Sequence, residues 1–183
     1  MDKLKPALGH PAGSAGEVPT PVDKRLADYR RKRDFAQSPE PEGSADPDHG
    51  PAGAATPRPR FVVQEHHARS LHWDFRLEVD GVLRSWAVPK GPPLVAGVKR
   101  LAIATEDHPL SYIDFAGTIP EGQYGAGEVT IWDRGHYEIV EGQDDRLLLR
   151  LDGERLRGNY YLVGTGGRQW LMWRTERRKE APS

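Results

Sequence analysis

From Leu71 to Val79 the chain alternates without a break. Leu71, Trp73, Phe75, Leu77 and Val79 are apolar, and His72, Asp74, Arg76 and Glu78 fall between them. Successive side chains of an extended strand point to opposite faces, so this pattern predicts a strand with one face in a core. The other face presents an imidazole, a carboxylate and a guanidinium in a row. Asp80-Gly81 comes next, and then the apolar run Val82–Val88. A two-residue Asp-Gly connection between two such segments is a strong hairpin signal.

The same grammar continues downstream. Strands are predicted over 101–105, 113–115, 128–132, 136–140, 147–151, 160–163 and 170–175, punctuated by Lys90-Gly91-Pro92-Pro93, Glu121-Gly122 and Asp152-Gly153. No helical period is sustained after residue 60. The expected fold is all-β, a barrel or sandwich, with closure into a small antiparallel β-barrel favoured because it removes exposed edges. Upstream the composition changes. Residues 1–22 are rich in Pro, Gly and Ala and are expected to be a disordered tail. Residues 23–41 form a basic motif whose stretch 24–35, KRLADYRRKRDF, predicts a short helix ending near Phe35 and able to pack back onto the body. Residues 42–59 read as a low-complexity linker, 60–176 as the folded β domain, and 177–183 as a C-terminal tail.

With 26 basic and 27 acidic residues the formal charge is −1, so the totals require neither a membrane nor a strongly basic nucleic-acid binder. No apolar run approaches the roughly 20 residues of a membrane span. The first ten residues lack the apolar centre of a secretory signal. The absence of cysteine excludes disulfides, thiolate zinc sites and cysteine nucleophiles, and makes a reducing cytosol the default compartment.

His66 precedes the turn-like segment 67–70 and can fold back beside His72. Two imidazoles and Asp74 beside Arg76 would make a divalent-metal site that handles an anion. The bland alternative is that these residues are only the solvated face of a strand. Four of the seven histidines, His66, His67, His72 and His108, fall between residues 66 and 108, which favours the metal reading. Elsewhere the choice stays open. Asp107 and His108 either emerge as functional groups at the end of a strand or merely turn the chain before Pro109. Tyr112 is either core or a donor to a phosphate. Lys90 ends a strand between Pro89 and Gly91. The glycine-dense stretch 120–127 lacks the Gly-Lys-Ser/Thr ending of a phosphate loop and is read as a structural turn. Residues 168–179 interleave aromatic and basic side chains, a pattern that suits either a core or a nucleic-acid backbone.

Taken together, FVVQEHHARSLHWDFRLEVDGVLRSWAVPKGP, VKRLAI, EDHPLSY and IPEGQYGAGEVTIWDRG, with RRKRDFAQSPEP upstream, closely resemble the 3′-phosphoesterase domain of bacterial DNA ligase D. The resemblance covers most of the predicted body and implies a stand-alone member of that family. It implies a small barrel with an open, crescent-shaped active-site groove. The implied activity is a manganese-dependent phosphodiesterase that removes a 3′-terminal ribonucleoside and then a phosphomonoesterase that leaves a 3′-hydroxyl, preparing ends for non-homologous end joining. By resemblance, His66, His72 and Asp74 bind the metal, and Arg76, His108 and Tyr112 engage the scissile phosphate. Gln64, Lys90 and Arg100 match the surround of the active site, and Arg33, Asp34 and Glu40 match the N-terminal motif. The implied partners are DNA 3′ ends, with a DNA ligase and end-binding repair proteins, and the implied setting is a monomer in the cytoplasm of a bacterium or archaeon, associated with the nucleoid. Two rivals remain: a non-haem iron oxygenase, whose ligands are also two histidines and one carboxylate, and a non-catalytic DNA-end binding module.

Overall fold

The computed structural model describes residues 18–43 and 57–176. The expectations placed on residues 1–17, 44–56 and 177–183 lie outside the described residues. Helix α1 covers Pro21–Arg31. The strands are β1 (Arg60–His67), β2 (Leu71–Val79), β3 (Val82–Val88), β4 (Lys99–Ala104), β5 (His108–Pro109), β6 (Gly117–Ile119), β7 (Gly127–Gln143), β8 (Arg146–Gly153), β9 (Arg157–Gly166) and β10 (Gln169–Thr175), with a 3-10 helix at Leu110–Asp114 between β5 and β6. Eight of them pair antiparallel in the order β1-β2-β3-β4-β10-β9-β8-β7, and β7 pairs back onto β1. The barrel is therefore closed, and β5 and β6 lie off the ring on β3 and β7. Among the described residues, no helix is long and apolar enough to cross a membrane.

The hairpin between β2 and β3 decides which side chains of these strands enter the barrel. Asp80 and Gly81 take φ of 49° and 82°, the positive pair whose twist matches that of the flanking strands. Arg76 then lies opposite Ser85, and Asp74 opposite Ala87. Slipping this register by one residue would exchange the two faces of the strand. As built, Phe75 and Leu77 point into the barrel and pack with Phe61, Trp86, Tyr160, Leu162 and Met172 in the main core.

The opposite face is covered over its middle. Val62 of β1 and Leu83 of β3 point outward into a second core with Tyr29 of α1 and with Leu110, Tyr112 and Ile113 of the 3-10 helix. The outer wall of β1–β2–β3 is thus roofed, and Asp74 and Arg76 in the middle of β2 are enclosed between wall and roof, while His72 and Glu78 stay partly exposed. Tyr29 is fully buried, and burying a side chain of that size contributes about 1.5–3 kcal/mol. The roof continues past α1 as a strap over 32–43. Tyr29 donates to the carbonyl of Pro41 at 2.6 Å. Gly43, at φ 70°, lies so close on Pro109 that a Cβ would overlap the ring.

Three expectations are corrected. The helix runs over Pro21–Arg31 rather than 24–35. It starts earlier because Thr20 and Asp23 form a capping box ahead of a proline that suits the first helical turn. It stops earlier because Asp34 turns the chain, its carbonyl accepting from Gln37 and Ser38 and its carboxylate from Ala36 N. The strand expected at 113–115 is the end of the 3-10 helix, where Leu110, Tyr112 and Ile113 are buried in the second core. The strands expected at 128–132 and 136–140 are one strand, β7. Gly135, which lies between the two expected strands, pairs with Phe61 on one side and Gly153 on the other, where β7 passes from β1 to β8.

Candidate active site

The β1–β2 register sets His66 directly opposite His72, with ring centroids 4.8 Å apart. Asp74 Oδ2 lies 3.6 Å from His66 Nδ1 and 3.6 Å from His72 Nε2, distances too long for hydrogen bonds. Each imidazole uses its other nitrogen on a carbonyl, which can only accept: His66 Nε2 donates to Gly125 O at 2.7 Å and His72 Nδ1 to Ser70 O at 3.0 Å. Two imidazole lone pairs and a carboxylate oxygen therefore face one another, with the ligand atoms of all three residues within 4.8 Å. Three acceptors converging with no proton between them make a donor set that fits a divalent cation, with the outer nitrogens oriented as metal-binding histidines require.

Arg76 adjoins this group and is only 3% exposed. Its Nε donates to Gln64 Oε1 at 2.7 Å, its Nη1 to Ser85 Oγ at 2.8 Å, and its Nη2 lies 3.3 Å from Asp74 Oδ2. Gln64 is fixed in turn by donating to the carbonyls of Tyr112 and Phe115 at 2.9 Å each. A guanidinium has five N–H groups, so one on each terminal nitrogen remains uncommitted. Two uncommitted N–H groups on one guanidinium suit oxygens of a phosphate. Burial opposes the charge on Asp74, but Arg76 and the two imidazoles outweigh it and hold the carboxyl well below its usual range. Asp74 in turn raises the pKa of His72 against the effect of burial.

A second cluster comes from the strap. Arg33 Nε pairs with Glu40 Oε1 at 2.9 Å and its Nη1 with Glu106 Oε1 at 3.2 Å, all three side chains being almost fully buried. Its guanidinium stacks 3.9 Å above the Tyr29 ring. Glu40 also accepts from Tyr112 OH at 3.0 Å and from Ser38 Oγ at 2.7 Å. The Tyr112 ring links the clusters, since Arg76 lies 4.9 Å from its centroid. His108 Nδ1 donates to Glu106 O at 2.9 Å, and its Nε2 accepts from Arg33 Nη2 at 3.3 Å. These partners fix one neutral tautomer. Burial, reinforced by the charges of Arg76 and Arg33, holds the His108 pKa well below its ordinary 6.5.

That depression has a consequence for stability. As the pH falls, the unfolded chain takes up the proton near 6.5 and the folded chain does not. The contribution is complete above that pH and is lost below it, by up to about 1.4 kcal/mol per pH unit. Urea unfolding from pH 7.5 to 5 should show this slope, and His108→Gln should flatten it. An equal slope in both proteins would mean that His108 protonates freely inside the fold.

The structure thus brings together His66, His72, Asp74, Arg76 and Gln64, and beside them Tyr112, His108, Arg33 and Glu40. It does not bring in three others. Asp34 is exposed and caps its own turn through Ala36 N and Gln37 Nε2. Lys90 is exposed in the turn after β3. Arg100 lies opposite core residue Met172 and alternates with Ala102, which places it on the barrel's inner face, where its Nε is buried without a hydrogen-bond partner. Sequence reasoning missed Ser85, Glu106, Tyr29 and the Gly125 carbonyl. The 120–127 stretch is thus more than a turn, because it orients His66. The 168–179 pattern divides, within its described part, between Trp170 in the main core and Trp173 stacked on Tyr161.

A closed antiparallel barrel whose outer wall carries a metal-capable group beside a buried, half-committed arginine is an arrangement with the chemistry to hold an anion against a cation. The comparisons place it more narrowly. The family model described as the DNA ligase D 3′-phosphoesterase domain matches residues 64–164, and the chain belongs to that family. It is 49% identical over 161 residues to a multifunctional non-homologous end joining protein LigD of Pseudomonas aeruginosa, covering 83% of this chain and 19% of that protein. It is 48% identical over 168 residues to a LigD of Mycobacterium tuberculosis, covering 90% and 21%, and 42% identical over 176 residues to one of Mycolicibacterium smegmatis, covering 90% and 22%. The chain spans about a fifth of the length of these relatives.

Proposed function

We propose that this protein is a metal-dependent DNA 3′-phosphoesterase. It removes a 3′-terminal ribonucleoside as a phosphodiesterase, then the remaining 3′-phosphate as a phosphomonoesterase, leaving a 3′-hydroxyl for non-homologous end joining. The convergence of His66, His72 and Asp74 beside two uncommitted N–H groups of Arg76 carries this reading, and family membership supports the choice of substrate. The cation is manganese, and the partners are DNA 3′ ends with a DNA ligase and end-binding repair proteins. The barrel with its roof of residues 23–41 acts as one monomeric unit in the cytoplasm, associated with the nucleoid.

A divalent cation held by His66, His72 and Asp74 would withdraw charge from the phosphate and lower the pKa of the attacking water. Arg76, already held by Gln64 and Ser85, receives two phosphate oxygens without reorganising, which is where preorganised charge is worth most. His108 starts neutral. Burial is the main cause of that, with the charges of Arg76 and Arg33 behind it; a phosphate arriving beside the two arginines offsets only their part, so His108 gains a proton only in the loaded site, on Nε2, once Arg33 Nη2 has moved off that nitrogen. In the first step the attacking water gives a proton to solvent as its oxygen bonds to phosphorus, the bond to the ribonucleoside 5′-oxygen breaks, and His108 Nε2 supplies the proton to that leaving oxygen. In the second step the bond to the primer 3′-oxygen breaks in the same way. Lys90, exposed in the turn after β3, serves the DNA flanking the phosphate rather than the phosphate itself, and Asp34 holds the strap that carries Arg33 and Glu40.

The same three ligands would also suit a non-haem iron oxygenase. Two assays on one preparation separate the readings: release of inorganic phosphate from a 3′-phosphorylated primer with manganese, and oxygen uptake with ferrous iron and a 2-oxo acid. Phosphate release without oxygen uptake is expected. Oxygen uptake alone would install the oxygenase, and neither activity in protein that binds DNA ends would install the binding module.

A further inference from the structure

Tyr124 is a large aromatic side chain that neither core uses and that the mechanism leaves idle. The residue is 48% exposed. Lys32 Nζ lies 5.0 Å from its centroid and the Arg33 guanidinium 5.3 Å. The loop that carries it is tied down on both sides of the ring. Gly125, at φ 75°, turns its carbonyl onto His66, and Gln123 Nε2 donates to Gln37 Oε1 of the strap at 3.3 Å. The ring is therefore held one residue from a contact to a metal-capable imidazole, beside two cations, with about half of the residue's surface in water.

We propose that Tyr124 is a stacking platform for the base of the 3′-terminal nucleoside, with Lys32 beside it as the contact for the nucleic-acid backbone. This rests on the 3′-end reading above. A base next to the scissile phosphate needs a flat apolar surface close to the metal group, and stacking on tyrosine accepts any base because every base has a π-face. Lys32 Nζ also pairs with Glu106 Oε2 at 3.1 Å but keeps 32% of its side chain exposed, so its charge can still meet the polyanion that carries the base. On this account the site grips the nucleoside it will release, which sets a terminal ribonucleotide apart from an end that offers no base.

Two primer-templates test the platform, one ending in an ordinary ribonucleotide and one in an abasic ribose. The wild type should favour the base-bearing end in kcat/KM by about tenfold or more, the scale of one base–aromatic stack. Tyr124→Ala should bring that ratio near one, and Tyr124→Trp should retain it. Separately from turnover, a 3′-terminal 2-aminopurine ribonucleotide in manganese-free buffer should be quenched by the wild type and not by Tyr124→Ala. A ratio near one in the wild type, a ratio unchanged in Tyr124→Ala, or equal quenching by both proteins would overturn the proposal. Quenching that depends on Tyr124 in protein inert on both ends would leave the platform standing and remove the phosphoesterase.

Discussion

His108→Ala protein binds manganese as the wild type does and processes the 3′ end about 10²–10³-fold more slowly, the usual loss when one charge-handling group is removed from a preorganised site. His72→Ala loses both. The division comes from position. His72 faces Asp74 and His66 across one hairpin, whereas His108 sits in the second cluster, bonded to Arg33 and Glu106. Metal binding by isothermal titration and turnover on a 3′-phosphate primer separate the two effects. His108→Ala protein that no longer takes up manganese would overturn the assignment of roles.

Arg33→Ala has the second large effect, and it falls on stability as well as chemistry. The side chain is 5% exposed and faces Glu40 and Glu106, whose side chains are 0% and 6% exposed. Removing the cation leaves two buried carboxylates competing for what remains. Breaking a buried pair in this way costs about 3–5 kcal/mol, which lowers the Tm of a chain this size by roughly 10 °C. Tyr112 keeps its bond to Glu40, but Glu40 loses the charge that holds it in place. Adding Glu40→Gln should recover part of the loss, because the stranded charge is then gone. A double variant whose losses simply add would show that the two residues do not act as a pair. Metal binding should survive in the single variant, since His66, His72 and Asp74 sit on the β1–β2 hairpin and not on the strap.

What was legible in the sequence was local. The alternation along β2 and the Asp80-Gly81 turn define a hairpin, and a short turn after His66 sets it opposite His72, so the metal group lies within one β1–β2 unit. Ser85 was within reach by the same logic, because the two-residue turn at 80–81 puts it opposite Arg76. The roof was not legible. Arg33 meets Glu106 across 73 positions of sequence and Tyr112 meets Glu40 across 72, and no periodicity reports such contacts. For the same reason the polar face of β2 resembled a solvated one. The signal that separates the two cases, a second set of apolar residues at Val62, Leu83, Tyr29 and Leu110, is spread over four segments. The short run at 113–115 was misassigned because three residues, with Asp114 between apolar Ile113 and Phe115, are too few to carry a period that can distinguish a strand from a single helical turn.

The central claim is that a metal held by His66, His72 and Asp74 drives resection of a DNA 3′ end. The most direct measurement is a gel assay on a labelled primer-template ending in one ribonucleotide, run with manganese, with chelator, and with the His72→Ala protein. The account predicts shortening to a 3′-phosphate and then a 3′-hydroxyl with manganese alone, and an intact primer in the other two lanes. Equal shortening in chelator or with His72→Ala, or an intact primer in all three lanes from protein that binds manganese, would contradict it.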